Sequence, residues 1–152
     1  MNNTQQIIGN IATDDRGTVR FVNDFNFNGV KRFYQVSNHR SGFIRAWHGH
    51  MKEAKYVYVA KGTALVAAVP MEDMLAAKES GILANPDVVQ KAVLSANKPT
   101  VLFIPAGYAN GFKTLEEGTI VQFFSTSTLE QSLGDDIRFD YNLVNVWGED
   151  YR

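Results

Sequence analysis

Short apolar runs of alternating character dominate the chain. TVRFVND, VKRFYQVSN, SGFIRAWHGH, AKYVYVAKG, TALVAAV, KAVLSANK, TVLFIPAG, NGFKTL and GTIVQFFSTS are rich in Val, Ile, Phe, Tyr and Thr, residues suited to a pleated, half-buried surface. Gly, Asn or Pro interrupts them about every 8–12 residues, the spacing of an all-β sandwich or barrel. One segment breaks the rhythm. MEDMLAAKES (71–80) combines good helix formers, early acids and a terminal Ser-Gly, which predicts one short helix. NPDVVQ then turns back into the sheet. The C-terminal DDIRFDYNLVNVWGEDYR is aromatic and partly apolar, so it is expected to pack on the body of the domain or on a partner subunit. The fold class is therefore an antiparallel β-barrel with one helix, a single domain over residues 1–152.

Composition narrows the function. A chain of 152 residues can bury about two-thirds of its unfolded surface in one core. Net charge is -1 with no basic block, which gives no footprint for nucleic acid. The longest apolar run, TALVAAVPM, falls far short of the ~20 residues that cross a bilayer as a helix, so no membrane partner is expected. MNNTQQIIGNIATDDRG has neither the basic nor the apolar region of a leader peptide, and a cytoplasmic protein is the expectation. The sequence contains no cysteine, so disulfides and thiolate chemistry play no part.

The candidate chemistry lies in FIRAWHGHMKEAKYVYVAKG, residues 43–62. Side chains alternate along a strand, so His48 and His50 share one face. In the next strand Lys55, Val57 and Val59 share a face and Tyr56 and Tyr58 the other. Two imidazoles and an ammonium make a poor apolar core, because burying an unpaired polar group costs a few kcal/mol. The face is therefore either a functional cavity or solvent-exposed.

Three chemistries could use these groups. His-x-His can present two nitrogens to a metal ion, with a nearby carboxylate and a fourth ligand from another strand. However, IPAGYANGF (104–112) places Asn110 where a fourth histidine would stand, and Glu53 follows Met51 by only two residues. No metal and no other cofactor is expected. Alternatively, a near-neutral histidine can take a proton from the carbon beside a ketone. Lys55 or His50 would then stabilise the enolate oxygen, and a carboxylate behind the imidazole would fix its tautomer. The third is passive binding of an anionic small molecule by Arg45, Lys55 and other arginines. Nothing resembles a nucleophile elbow. His39 reads as a turn residue, Trp47 and Trp147 as packing residues, and Glu53 as a solvated turn carboxylate.

Several islands in order, from about residue 14 to residue 147, resemble the RmlC-type cupins, the dTDP-4-dehydrorhamnose 3,5-epimerases. DDRGTV is similar to their Asp-x-Arg-Gly, which implies a nucleotide-sugar contact for Arg16. IRAWHGH is similar to Arg-Gly-Leu-His-Tyr-Gln, which implies that His48 is the base and Arg45 binds phosphate. EAKYVYVAKG places Lys55 on the lysine that polarises the C4 ketone. VLSANKPTVLFIPAGYANGF is the most specific stretch, with Asn110 in place of the family histidine. DIRFDYNLVNVW resembles the closing family segment, which implies Asp140 as the carboxylate that orients the base. The resemblance implies a cupin double-stranded β-helix, a nucleotide-diphosphate sugar as substrate, no cofactor and a homodimer.

The front half is also similar to the dTDP-sugar 3,4-ketoisomerases, which use both histidines of His-x-His and an Arg-x-Tyr element matched here by Tyr34. The leading expectation is an epimerase for an NDP-4-keto-6-deoxyhexose. The alternatives are a 3,4-ketoisomerase, a metal-binding cupin and a non-catalytic sugar-nucleotide binder. The tyrosine that returns a proton in the epimerases is missing, since the corresponding strand reads IVQFFSTSTLEQS. Tyr108 and Tyr141 are substitutes to consider, and Tyr108 and Asn110 are further candidates for substrate contact.

Overall fold

The computed structural model describes residues 3–152. Twelve strands run in the order β1 (Gln5–Ile8), β2 (Asn10–Asp14), β3 (Gly17–Phe21), β4 (Arg32–Ser37), β5 (Ile44–His50) and β6 (Lys55–Lys61), then β7 (Thr63–Pro70), β8 (Gln90–Ser95), β9 (Thr100–Ile104), β10 (Tyr108–Thr114), β11 (Ile120–Ser125) and β12 (Ile137–Arg138). Helix α1 (Met71–Ser80) follows β7, and the short α2 (Leu129–Leu133) lies between β11 and β12. The expected helix 71–80 is present at those bounds. It ends where Gly81 takes a left-handed φ of 84° and returns its N–H to Ala77, a conformation that suits glycine.

Ten strands form two antiparallel five-stranded sheets, ordered β1-β9-β6-β11-β4 and β12-β5-β10-β7-β8, while β2 and β3 form a separate hairpin. The sheets face each other. Val57, Val59, Leu102, Ile104, Val121 and Phe123 of the first meet Val66, Ala68, Leu94 and Phe112 of the second in one buried cluster. The second sheet is covered on its other face too. Trp47, Ala67, Val69 and Ala109 pack there against Met71 and Met74 of α1 and against Phe139, Val144 and Trp147 of the C-terminal segment. That double burial explains the unbroken apolar run of β7, since a strand buried on both faces has no polar side to alternate with. It also places the C-terminal aromatic segment on the body of the domain. Trp47 and Trp147 pack with ring centroids 5.0 Å apart.

One irregularity decides which residues face inward. Along β10, Asn110 opposes His48 and Phe112 opposes Arg45, so β5 carries one residue more than its partner, a β-bulge. Strict alternation would turn Arg45, three residues before His48, to the opposite face. With the bulge, both line the same cavity. A Cβ on Gly111 would lie 2.9 Å from Ala46 Cα and 2.9 Å from the Arg45 carbonyl, so the bulge needs glycine opposite it. Gly111→Ala is expected to destabilise the fold by about 1–3 kcal/mol through overpacking, read by denaturant unfolding.

Candidate active site

Between the sheets, at the end where β5 leads into β6, lies a cavity of about 260 Å³. Its walls carry Arg32, Tyr34, Lys55 and Phe123 from the first sheet, and Arg45, His48, His50, Asn110 and Arg138 from the second. Leu129 and Leu133 of α2 stand at its edge, 60% and 72% exposed. His48 and Tyr34 therefore project from opposite walls.

His48 is half-buried, and neither ring nitrogen has a hydrogen-bond partner among the described residues. Burial, reinforced by the charges of Lys55 and Arg138, pushes its pKa down to about 4, while Asp136 opposes the shift. At neutral pH the ring is uncharged and has a free lone pair, which is the state of a base. Lys55 is 7% exposed, with its Nζ 5.9 Å from the centre of the Tyr34 ring and 5.7 Å from that of Phe123. Tyr34 stacks on Phe123 at 5.0 Å. Arg45 donates through Nε to Asn38 Oδ1 at 2.7 Å and is otherwise exposed at the rim.

Glu53 is the main correction to the sequence reading. It was expected to be a solvated turn carboxylate, yet its side chain is completely buried. Its Oε1 accepts from Ser125 Oγ and, at 3.3 Å, from Arg32 Nη2. Its Oε2 lies 3.3 Å from His50 Nε2 and 3.7 Å from Lys55 Nζ. A buried carboxylate persists only when cations and hydrogen bonds replace its water, and here two cations and a serine do so.

The turn that carries Glu53 is anchored from outside. Asp135 accepts the backbone N–H groups of Met51, Lys52 and Glu53 at 2.8, 2.8 and 2.9 Å. Burial tends to raise the Asp135 pKa, but these three donors outweigh it and the net shift is downward. The Asp135 carbonyl sits 2.6 Å from His50 Nδ1. A carbonyl can only accept, so Nδ1 carries a proton. Burial and Lys55 lower the His50 pKa, against the opposing effects of the Asp135 carbonyl and Glu53.

Four residues considered for the site lie elsewhere. Asp140 is exposed and accepts the Asn142 N–H at 2.8 Å. The ladder of β12 against β5 ends with the Phe139–Trp47 backbone pair, and the chain turns away before Asp140 can reach His48. The carboxylate near His48 is instead Asp136, held at 3.0 Å by Arg138 Nε. Tyr108, 3% exposed, belongs to the core cluster, and its hydroxyl oxygen accepts from Gln90 Nε2 at 3.3 Å. Arg16 is at the tip of the β2–β3 hairpin, paired with Asp14 at 2.6 Å and largely exposed. Tyr141 packs outside the second sheet.

Arg32, Asp136, Arg138 and the leucines of α2 were not foreseen. Two of these had a legible signal. Arg32 is two residues before Tyr34 on one strand and so shares its face. The Thr128…Gln131 pair is a capping box, a helix-start signature within what reads as the tail of a strand. Among the described residues, no group of three or more His, Asp or Glu side chains is arranged to hold a metal ion.

Comparison with known proteins agrees with this architecture. The family model for dTDP-4-dehydrorhamnose 3,5-epimerase matches residues 3–147. No curated protein matches the chain in sequence. Among solved structures, the Bacillus anthracis dTDP-4-dehydrorhamnose 3,5-epimerase superposes with a TM-score of 0.73 at 20% identity, covering 96% of this chain and 85% of that one. ChmJ, a 3'-monoepimerase from Streptomyces bikiniensis, gives 0.73 at 17% identity, over 98% and 77% of the two chains. The 3,4-ketoisomerase QdtA from Thermoanaerobacterium thermosaccharolyticum gives 0.68 at 18%, over 95% and 92%. These likenesses establish the cupin fold of the RmlC type. With the family match spanning nearly its whole length, the chain belongs to the dTDP-4-dehydrorhamnose 3,5-epimerase family, whose members are isomerases of sugar nucleotides.

Proposed function

We propose that this protein epimerises a nucleotide-diphosphate 4-keto-6-deoxyhexose by removing a proton next to the ketone. The observation that carries the reading is His48, an uncharged imidazole with free nitrogens, facing Tyr34 across a cavity that also holds the Lys55 ammonium. A cavity of about 260 Å³ suits a hexose ring better than a whole nucleotide sugar. The sugar would therefore enter, leaving the diphosphate at the rim with Arg45 and Arg138.

In this arrangement His48 takes the proton from the carbon beside C4, and Lys55 stabilises the enolate oxygen. Inversion needs a proton from the opposite face. Tyr34 supplies it from the opposite wall, and the missing tyrosine of β11 is explained by its position. Tyr34 pairs directly with Phe123 across the β4–β11 ladder, so the phenol comes from the neighbouring strand. Asn110 lies beside His48 in the register and would contact the sugar.

A 3,4-ketoisomerase using both histidines is less well supported by this geometry. The nitrogens of His50 face the Asp135 carbonyl and Glu53, which leaves His48 as the ring open to substrate. A metal-dependent reading is also less well supported, because Glu53 is committed to Arg32, Lys55 and Ser125. The same proposal places the protein in cytoplasmic deoxysugar biosynthesis for a cell-surface polysaccharide. It also makes the protein a homodimer, in which the exposed hairpin presents Arg16 to the neighbouring copy's nucleotide. The exposed Phe27 and Phe33 are consistent with such an interface.

With dTDP-4-keto-6-deoxyglucose as substrate, His48→Asn is expected to lose ~10²–10⁴ in turnover while its circular dichroism spectrum stays unchanged; wild-type turnover would contradict the assignment. Tyr34→Phe is expected to keep proton exchange at the reacting carbon but lose the inverted product, as read by NMR of the sugar. The base must be uncharged to act, and its pKa lies below the usual histidine value. The pH profile of kcat/KM should therefore stay level from neutral pH down past about 6.5, the ordinary histidine value, and fall only at lower pH as His48 gains its proton. A fall beginning at pH 7 would point to a base in a different environment.

A further inference from the structure

Glu53 and His50 pose a problem that the proposed reaction does not solve. Neutral His50 carries its one proton on Nδ1, directed at the Asp135 carbonyl. Its Nε2 then presents a lone pair to Glu53 Oε2 at 3.3 Å. Both atoms are sealed from solvent, and neither has a hydrogen-bond partner. Two acceptors in a dry contact repel, and each also loses the hydrogen bond that water would give it. One proton between them removes both costs. The groups facing the pair are Arg32 from β4, Lys55 from β6, His48 on the same face of β5 as His50, and Asp136 just before β12.

We propose that Glu53 is the positioning residue of this site, sharing one proton with His50 and holding the Lys55 ammonium and the Arg32 guanidinium in place around its carboxylate. Its two oxygens divide the work. Oε1 takes Arg32 and Ser125, which ties β4 to the end of β11. Oε2 takes Lys55 and the shared proton. Without that carboxylate two cations would face each other in a desolvated corner, and Lys55 would swing away from the Tyr34 and Phe123 rings. Glu53 itself reaches no substrate, being wholly buried. Its effect on turnover passes through Lys55 and so rests on the epimerase reading.

The test separates the two ideas. In ¹⁵N-histidine-labelled protein without ligand at neutral pH, His50 is assigned by comparison with His39→Asn and His48→Asn. Its Nε2 is expected well away from the position of a bare imidazole nitrogen, and to return towards it in Glu53→Gln. A bare Nε2 in the wild type overturns the shared proton. In turnover assays Glu53→Gln is expected to lower kcat by about tenfold or more with KM changed by less than about threefold. An unchanged kcat overturns the positioning role. If the wild type fails to turn over the sugar at all, the epimerase reading falls, and the nitrogen shifts still decide the proton.

Discussion

The site depends on keeping a carboxylate dry. Glu53 is sealed between two sheets with Arg32, His50, Lys55 and Ser125 around it. A buried ion is tolerated only when its partners are correctly placed, so this corner constrains everything that touches it. β4 must deliver Arg32, β6 must deliver Lys55, and the 51–54 turn must stay closed under Asp135. These requirements fix the relative positions of strands from one sheet and a turn from the other. They also leave a fixed ammonium facing a cavity whose far wall carries His48.

The chemistry follows from the contrast between two histidines two residues apart. Both are pushed towards the neutral form by burial. His50 has its nitrogens turned to protein acceptors, whereas those of His48 face the open cavity. The same strand thus supplies one ring engaged by the protein and one open to the cavity. The bulge between them and Ile44 brings Arg45 to the same face, where it joins Arg138 at the mouth. A cavity so provided has an uncharged imidazole on one wall, a phenol on the other, an ammonium between and guanidinium groups at the rim, which is the set of groups that the proposed reaction on an anionic keto sugar calls for.

Much of this was legible in the sequence. Strand periodicity placed nine of the strands, and the acids and Ser-Gly of 71–80 placed the helix. The face shared by His48 and His50 came directly from alternation. The remainder was hidden for physical reasons. Glu53 looks solvated because its position two residues after Met51 reads as a turn, and nothing local reveals that Arg32, twenty-one residues earlier, comes to neutralise it. Asp140 was placed by matching a segment whose ladder in fact ends at Phe139. Tyr34 was assigned through one family likeness, and only sheet order shows that it stands beside Phe123, where the epimerase tyrosine is absent. β1, β2 and β12 were missed because QQII and NIATD are short and mostly exposed and β12 is only the two residues Ile137–Arg138, so little hydrophobic pattern marks them.

The most direct measurement is proton NMR of the wild-type protein with dTDP-4-keto-6-deoxyglucose in D₂O. Proton abstraction beside the ketone predicts deuterium at C3 or C5, with inverted configuration at the labelled carbon in the product. A sugar that stays unlabelled while its nucleotide binds would contradict it and leave a binding protein on a catalytic fold.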